Sequence, residues 1–296
     1  MRVAAASVCA TDRKLLARGA PEPLVPGHEF AGHLADGRAV GVHPDIGCGA
    51  CAECRDGWNN RCPDRVPIGL GRDGGLAELA AVPSTQLVPL DGVPVDIAPF
   101  LEPLACSLHA VHRMGVRGGD RAVVVGAGPM GLLTTWALQR AGARVAVCQR
   151  SPRRRVAARD LGADAVVDPD ADAERLAEVL GGRPRVAVVT PPGTAPLSWA
   201  LERVAAGGAV HAFAGTPGGA DLDANLVHYR HLTVVGSTGS TLADYREAVR
   251  AVTDGLDLRR LPHARHPLAD VPDLLAAGSE RRVTVAPGEP ARDRAT

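Results

Sequence analysis

The chain has 296 residues, 46% of them hydrophobic, and its formal net charge at pH 7 is zero. This length allows two domains with substantial cores. A basic excess is absent and aromatic residues make up only 3% of the chain, which argues against nucleic acid as a partner. No apolar run approaches the roughly 18 residues of a membrane helix, so the composition predicts a soluble globular protein without membrane contact.

The chain opens on a short apolar segment, residues 1–10, with a faint likeness to a signal peptide. The segment is short for that role and continues directly into Cys9-Ala10-Thr11-Asp12. A second small motif, Gly27-His28-Glu29, follows. Neither motif alone indicates a function, because a single cysteine or histidine more often packs in the core or faces solvent than binds a ligand.

The next motif is a C-x2-C-x2-C-x7-C run formed by Cys48, Cys51, Cys54 and Cys62. Four thiolates at this spacing suit one divalent ion with soft ligands and tetrahedral geometry, which indicates a structural zinc ion. Two disulfides or four unrelated thiols are the alternatives, and disulfides would require an exported protein. Because zinc ligands must remain thiolates, we expect a cytoplasmic protein.

A glycine-rich turn lies in the middle of the chain. A buried strand at 121–125 runs into Gly126-Ala127-Gly128-Pro129-Met130-Gly131, and a helical stretch and a second apolar run at 144–148 follow. This is the G-x-G-x-x-G fingerprint in its strand–turn–helix–strand context. The glycines allow a tight turn, the approach of a pyrophosphate and close helix packing. The motif predicts dinucleotide binding, and a sheet of this type without a ligand is the alternative.

Strands and helices continue to alternate after the turn. We predict strands at 165–167, 186–190, 209–214 and 232–235, with helices near 173–180 and 195–205. This order predicts a doubly wound parallel sheet. Beyond it we expect helix at 242–252, a final strand at 282–286 and a disordered tail at 288–296.

The end of the second strand bears on the choice of dinucleotide. A site for NAD usually carries Asp or Glu about 20 residues past the glycines, where it binds the ribose 2′-hydroxyl. This chain has Gln149 and Arg150 there, followed by Ser151 and a run of arginines that includes Arg154. A guanidinium would clamp a 2′-phosphate, which favours NADP over NAD. The alternative is a helix start whose arginines are solvated.

Taken in order, these motifs resemble the zinc-dependent medium-chain dehydrogenase/reductase (alcohol dehydrogenase) family, most closely its polyol, sorbitol and threonine dehydrogenases. The likeness rests on CATD, GHE, the four cysteines, Asp73-Gly74-Gly75-Leu76-Ala77-Glu78, Glu102-Pro103-Leu104 and GAGPMG. It implies an α/β protein: a GroES-like, mostly-β catalytic domain with a structural zinc lobe (1–103), a Rossmann domain (104–256) and a return to the catalytic domain with a flexible tail (257–296).

The resemblance also implies a second, catalytic zinc ion. Cys9 and His28 match ligand positions of the family, Glu29 either ligates or supports a ligand, and Glu102 matches the remaining ligand position. A catalytic zinc takes about three protein ligands and keeps an open position. Cys106 is an alternative ligand, although its place in a helical run favours packing.

Three further residues match family positions around that zinc. Asp12 matches the carboxylate that orients the histidine, and Thr11 matches the hydroxyl that binds the substrate oxygen and starts proton removal. Lys14, the only lysine, stands where the family often has a histidine that relays the proton. Three interpretations of Lys14 are open: it relays protons, it contacts an anionic group, or its side chain is only solvated.

The family usually has a few dozen more residues before the first motif, so we expect either a misplaced start codon or a reduced catalytic domain with exposed strand edges.

Together, the motifs predict a zinc-dependent NAD(P) oxidoreductase that interconverts a secondary alcohol (a polyol, sugar, cyclitol or amino alcohol) and its ketone. The alternative is a zinc- and dinucleotide-binding protein without turnover. We expect two zinc ions per chain, a small-molecule substrate and a homodimer or homotetramer.

Overall fold

The computed structural model describes residues 1–19, 23–171, 174–277 and 282–288, which form two compact units. The first unit combines Met1–Cys106 with Gly239–Thr296, and the second comprises Ser107–Thr238. The second unit is therefore inserted into the chain of the first. In the described ranges, no helix combines the length and the apolar character needed to cross a lipid bilayer.

The helices of the described residues are α1 (Ala10–Arg18), α2 (Ala52–Arg55), α3 (Leu101–Arg113), α4 (Pro129–Arg140), α5 (Pro152–Asp160), α6 (Arg175–Leu180), α7 (Thr194–Arg203), α8 (Ala224–Tyr229), α9 (Leu242–Thr253) and α10 (Val271–Ala277). Short 3₁₀ helices lie at Asn59–Arg61, Ser84–Gln86, Ala98–Phe100, Leu258–Arg260 and Leu268–Asp270.

The strands are β1 (Arg2–Val8), β2 (Glu29–His33), β3 (Ala39–Val42), β4 (Asp45–Ile46), β5 (Val66–Pro67), β6 (Leu87–Pro89), β7 (Arg121–Val125), β8 (Arg144–Cys148), β9 (Ala165–Val167), β10 (Val186–Val189), β11 (Ala209–Ala212), β12 (Thr233–Gly236), β13 (His263–Pro267) and β14 (Arg282–Ala286).

The first unit is built on a sheet of order β13-β14-β1-β2-β3-β6. Strand β1 pairs antiparallel with β2 and with β14, so that Ser7 lies opposite both Glu29 and Thr284. Phe30, Ile68 and Val283 are buried in the core against this sheet. Strands β2 and β3 form a hairpin, because they pair antiparallel across the turn at Asp36-Gly37.

The second unit contains a sheet of order β12-β11-β10-β7-β8-β9, and all its strand pairs are parallel. In chain order this is the 3-2-1-4-5-6 arrangement of a doubly wound dinucleotide-binding sheet. Its strands are nearly continuous runs of valine and alanine, as expected where helices cover both faces of a parallel sheet. The predicted parallel sheet is confirmed.

The bounds of most predicted elements agree with the structure. Strands β7, β8, β9 and β14 have the predicted bounds, and α9 begins at the predicted Leu242. Strand β11 ends at Ala212, two residues before its predicted end. Ala173, the predicted start of α6, and the predicted tail after Gly288 lie outside the described residues.

Helix α9 lies in the first unit, whereas the sequence assigns residues 104–256 to the nucleotide-binding domain. The reason is a set of contacts with β3 and the segment after it. Tyr245 is 1% exposed, and a Cβ atom added to Gly41 would lie 2.5 Å from its hydroxyl. Nε2 of His43 donates to the carbonyl of Ser240 at 2.9 Å. These contacts join residues about 200 positions apart, which no local pattern predicts.

Candidate active site and metal centres

The candidate active site begins where β1 ends and α1 starts. Cys9 occupies the N-cap position of α1 in an extended conformation. Its backbone N–H donates to Oδ2 of Asp12 at 2.7 Å, and Asp12 is only 1% exposed. A side chain that accepts from the first turn of a helix satisfies an otherwise unpaired N–H group. This arrangement fixes the backbone of Cys9, the residue that carries the thiol.

His28 lies next to this helix start, immediately before β2. Oδ1 of Asp12 contacts Nδ1 of His28 at 3.2 Å and accepts from the N–H of Gly27 at 3.2 Å. Because a carboxylate accepts, Nδ1 carries the proton and Nε2 is left as the donor atom for a metal. Nε2 lies 3.9 Å from Oε1 of Glu29. Asp12 thus orients the imidazole as a carboxylate does behind a metal-binding histidine.

One ligand atom each from Cys9, His28 and Glu29 lies within 4.8 Å of the other two. Burial disfavours a charged His28, yet the hydrogen bond to Asp12 and the neighbouring Cys9 thiol raise its pKa well above the ordinary value. The cluster is therefore an environment that favours positive charge. Thiolate, imidazole and carboxylate are the donor set of zinc, so these residues fit a zinc ion.

Glu102 lies in the first turn of α3 and is 7% exposed. Its carboxylate oxygens do not belong to the set of ligand atoms of Cys9, His28 and Glu29 that lie within 4.8 Å of one another. The carboxylate is nevertheless close enough to interact electrostatically with His28. Burial raises the pKa of Glu102, while His28 and a hydrogen bond from Cys106 act in the opposite direction. The Sγ atom of Cys106 lies 3.1 Å from Oε1 of Glu102.

The two remaining predicted residues differ in their position. Thr11 is half-buried, and its Oγ1 lies 3.8 Å from Sγ of Cys9. Lys14 is exposed on α1, and its side chain has no hydrogen bond or ion pair within the ranges that the structure describes. The geometry brings Thr11 to the cluster, and it leaves Lys14 in contact with solvent.

The four clustered cysteines converge in a lobe around α2. One sulfur from each of Cys48, Cys51, Cys54 and Cys62 lies within 4.8 Å of the others, and all are free thiols. Backbone N–H groups point at the sulfurs: those of Ala50 and Cys51 donate to Cys48, and that of Cys54 donates to Cys51. Gly47 is required here, because a Cβ would lie 2.5 Å from Sγ of Cys54.

The protonation behaviour of this lobe also suits a cation. The N–H groups of Ala50 and Cys51 lower the pKa of Cys48 to about 7. Although the N–H of Gly49 favours its thiolate, burial and the neighbouring thiols raise the pKa of Cys54 to about 12. The four sulfurs cannot all be thiolates without a positive charge between them. The residues therefore fit a zinc ion bound by four thiolates.

A cavity of about 650 Å³ lies over the glycine-rich turn of the second unit. Its lining includes every residue that the sequence predicts for cofactor binding, namely Gly126, Gly128, Pro129, Met130, Gly131, Gln149, Arg150 and Arg154. The three glycines have distinct surroundings. Gly126 has φ +96°, a Cβ at Gly131 would lie 2.0 Å from the carbonyl oxygen of Gly126, and a Cβ at Gly128 would have nothing within 4 Å. Gly128 is thus the open position that a pyrophosphate can approach.

The arginines after β8 divide between two tasks. Arg155 donates to Asp168 at 2.6 Å and to the carbonyl of Gln149 at 3.0 Å, so it holds the loop together. Arg150 and Arg154 line the cavity, and Arg150 makes an exposed ion pair with Asp170 at 3.4 Å. No carboxylate stands at the strand end where an NAD site usually has one.

Sequence reasoning missed a buried polar group beside the active site. Asp45 is 3% exposed and pairs with Arg65 at 3.1 Å, while its Oδ2 has no hydrogen-bond partner among the described residues. A Cβ added to Gly239 would lie 2.2 Å from Oδ2. The sequence carries no signal for this arrangement, because Asp45 and Gly239 belong to no shared motif and lie far apart in the chain.

Residues 1–92 match the alcohol dehydrogenase GroES-like domain family, and residues 129–254 match the zinc-binding dehydrogenase family. This chain belongs to the zinc-dependent alcohol dehydrogenase family. L-threonine 3-dehydrogenase of Rhizobium johnstonii is 30% identical over 282 residues, 87% of this chain and 81% of that protein. D-altritol 5-dehydrogenase of Agrobacterium fabrum is 30% identical over 92% of this chain and 85% of that protein. L-galactonate-5-dehydrogenase of Escherichia coli is 28% identical over 86% of this chain and 80% of that protein.

Solved structures agree with these alcohol dehydrogenase relatives. A zinc-binding dehydrogenase from Sinorhizobium meliloti 1021, solved with NADP, is 31% identical and superimposes with a TM-score of 0.88 over 97% of this chain and 91% of that chain. L-idonate 5-dehydrogenase of Escherichia coli is 24% identical and shows the same fold, with a TM-score of 0.89. The predicted GroES-like and Rossmann architecture is therefore confirmed, and so is the enzyme class. The protein is a zinc-dependent NAD(P) oxidoreductase, and the alternative without turnover is not favoured.

Proposed function

We propose that this alcohol dehydrogenase interconverts a secondary alcohol and its ketone, and that the alcohol is a polyol, sugar, cyclitol or amino alcohol. The observation that carries the proposal is the convergence of Cys9, His28 and Glu29, with Asp12 behind the imidazole. Relatives named for reactions at carbon 3 or carbon 5 support the substrate class, because interior carbons carry secondary alcohols. The resemblance to polyol dehydrogenases at Glu102 and Pro103 also favours a polyol over an ethanol-like substrate.

In this proposal, Cys9 and His28 ligate the catalytic zinc, and either Glu29 or Glu102 supplies the carboxylate. A bound zinc ion supplies Lewis-acid chemistry, which lowers the pKa of an alcohol. Asp12 holds Nδ1 of His28 and so keeps Nε2 available. The Oγ1 atom of Thr11 accepts the proton from the substrate hydroxyl and passes it outward. The exposure of Lys14 supports the solvated interpretation for that residue.

We further propose that Cys48, Cys51, Cys54 and Cys62 hold a second, structural zinc, which gives two zinc ions per chain. The support is the close set of four free thiols and the N–H groups directed at their sulfurs. A closed site with four protein ligands has no position for substrate and stabilises the lobe. Thiolate ligands in both sites favour a reducing compartment, the cytoplasm.

The dinucleotide that we propose is NADP rather than NAD. Arg150 and Arg154 line the cavity at the end of β8, and the carboxylate that would repel a 2′-phosphate is missing from that strand end. Comparing kcat/KM for the two cofactors tests this proposal. We expect a clear preference for NADP, and a strong preference for NAD would overturn it.

We also propose a homodimer or homotetramer. Strand β12 stands at the end of its sheet, and both Thr233 and Val234 are exposed although they project from opposite faces. Parallel sheets are normally covered on both faces, and an open edge strand invites pairing. A second copy of this chain packed over β12 would bury the side chains of both Thr233 and Val234.

Two substitutions test the metal assignment together with the activity. In Cys9→Ala and His28→Ala we expect turnover to disappear and elemental analysis to show the loss of one of two zinc ions. Cys148→Ala is the matched control, because it removes a buried thiol outside both clusters and should keep both zinc ions. Near-normal turnover in purified Cys9→Ala would refute the assignment. A screen of polyols, cyclitols and amino alcohols with both cofactors would then identify the substrate.

A further inference from the structure

Helix α3 carries a thiol one turn after the glutamate of the active site. Cys106 follows Glu102 by four residues, a spacing that places two side chains on the same face of a helix. The distance from Sγ of Cys106 to Oε1 of Glu102 is 3.1 Å, well within the range of a hydrogen bond to sulfur. The mechanism described above assigns Cys106 no task.

The surroundings of Glu102 explain why a donor matters there. Glu102 is only 7% exposed, so little water reaches its carboxyl group. A buried carboxylate needs donors or cations to remain charged. Within the described part of the chain, the hydrogen bond that the structure gives to this carboxylate comes from Cys106.

A direct ligand role for Cys106 fits the geometry less well. The ligand atoms that lie within 4.8 Å of one another belong to Cys9, His28 and Glu29, and the sulfur of Cys106 is not in that group. This sulfur is directed instead at the carboxylate of Glu102. The contact therefore favours a role that acts through Glu102.

We propose that Cys106 is a positioning residue for Glu102, and that its thiol occupies one carboxylate oxygen so that the other oxygen is the one left for the catalytic metal. This inference rests on the proposed function, in which Glu102 lies beside the zinc. Groups that hydrogen-bond a ligand commonly change metal affinity by about 10- to 100-fold when they are removed. Cys106 then sets how firmly the carboxylate is held while the metal is bound.

Cobalt(II) titration of protein from which a chelator has removed the catalytic zinc tests the proposal without using turnover. We expect Cys106→Ala to weaken cobalt(II) binding by about 10-fold or more. Cys106→Ser keeps an O–H donor and should stay within about threefold of the wild type, and its thiolate-to-cobalt absorption should be unchanged. Cys148→Ala, a buried cysteine of the second unit, controls for the loss of a thiol as such.

A double-mutant cycle shows whether Cys106 acts through Glu102. In a Glu102→Gln background, we expect Cys106→Ala to have no further effect on cobalt(II) affinity. Equal binding by the wild type and Cys106→Ala would overturn the proposal. A drop in thiolate-to-cobalt absorption in Cys106→Ser would also overturn it, because Cys106 would then be a ligand itself. If Cys9→Ala binds cobalt(II) normally, the proposed metal site fails instead, so the two failures are distinguishable.

Discussion

Asp12 shows how much of this active site depends on one carboxylate. Its Oδ2 accepts from the N–H of Cys9, while its Oδ1 serves both the N–H of Gly27 and the ring of His28. Two segments that are separated in the chain are thereby tied together, and each carries one proposed zinc ligand. The side chain is buried, so water does not replace these bonds.

Asp12→Asn should therefore damage the metal site while the overall fold persists. The amide nitrogen that replaces one carboxylate oxygen of Asp12 can only donate. It would face a group that also donates, such as the N–H of Cys9 or of Gly27. We expect about a 10- to 100-fold loss of zinc affinity at this site and a parallel loss of turnover, measured by chelator competition and initial rates. Asp36→Asn is the control, because Asp36 is an exposed turn residue that bonds only to Arg38 among the described residues. Zinc affinity in Asp12→Asn equal to that of the control would contradict this role.

His211 makes stability depend on pH. It is fully buried in β11, its Nε2 contacts Oγ of Ser237 at 3.0 Å, and its Nδ1 has no partner among the described residues. Burial, together with the nearby His109 and Arg113, lowers the pKa of His211 to about 4. Between about pH 6.5 and pH 4, His211 is therefore protonated in the unfolded chain but not in the folded chain. The stability of the fold falls as the pH falls through this window.

Acidification from pH 7 to pH 5 should cost roughly 2 kcal/mol through His211 alone. In His211→Asn that contribution disappears, and thermal unfolding should lose less stability between these pH values than in the wild type. His231→Asn is the matched control: His231 is exposed with φ +54°, a conformation that asparagine tolerates. Identical pH profiles for the two variants would show that His211 does not titrate as described.

The three residues of the candidate metal cluster could be named from the sequence, whereas the groups around them could not. Cys9, His28 and Glu29 belong to short motifs that resemble those of the family, and the roles proposed for them rest on that resemblance. The hydrogen bond from Cys106 to Glu102 follows from helical spacing, but the sequence alone favours packing for that cysteine. Asp45 and His43 depend on partners near residues 65, 86 and 240, and contacts over such separations leave no local pattern.

In the glycine-rich turn between β7 and α4, the glycines differ in what their missing side chains allow. Gly131 allows α4 to approach the turn, because a Cβ there would lie 2.0 Å from the carbonyl oxygen of Gly126. Gly128 has no such neighbour, and its φ of −76° suits any residue. Folding therefore does not require glycine at this position, and we propose that the missing side chain lets the pyrophosphate of the dinucleotide approach.

Two alanine substitutions separate these tasks. Gly131→Ala should lower stability by about 1–3 kcal/mol through overpacking against backbone, detected as a reduced Tm. Gly128→Ala should retain the wild-type Tm and weaken NADP binding, measured by calorimetry. Gly118→Ala serves as the control for both, because its added Cβ would meet nothing within 4 Å and Gly118 is absent from the cavity lining. Normal NADP binding by Gly128→Ala would contradict the approach of a pyrophosphate at this position.

The parallel sheet of the second unit was more predictable than the mixed sheet of the first unit for a physical reason. Each of the strands β7 to β11 is followed by a helix of the same unit. The pattern therefore repeats over a few tens of residues and can be recognised locally. In the first unit, β1 pairs with β14 about 280 residues later, and α9 packs beside β3. Those pairings depend on the assembled core, which explains why the sequence assigns α9 to the neighbouring domain.

The exposed edge strand β12 predicts that copies of this chain assemble. Val234 is 37% exposed on the last strand of the sheet, and Tyr229 at the end of α8 is 76% exposed. Val234→Arg would place a charge in any interface that covers this edge, while a monomer would tolerate it. We expect light scattering to show the wild type as a dimer or tetramer and Val234→Arg as a smaller species. Leu79→Arg, at an exposed site of the first unit, should leave the assembly intact.

The insertion of one unit into the chain of the other has a consequence during synthesis. All six strands of the parallel sheet lie between residues 107 and 238, so that sheet can form as soon as this stretch leaves the ribosome. Strand β1 must wait for β14 at 282–286 before both its edges are paired. The cysteine lobe at 48–62 can form early, whereas β1, which ends next to Cys9, has both edges paired only after residues 282–286 have been made. Under the proposed assignment, the structural site can therefore form before the catalytic site is complete.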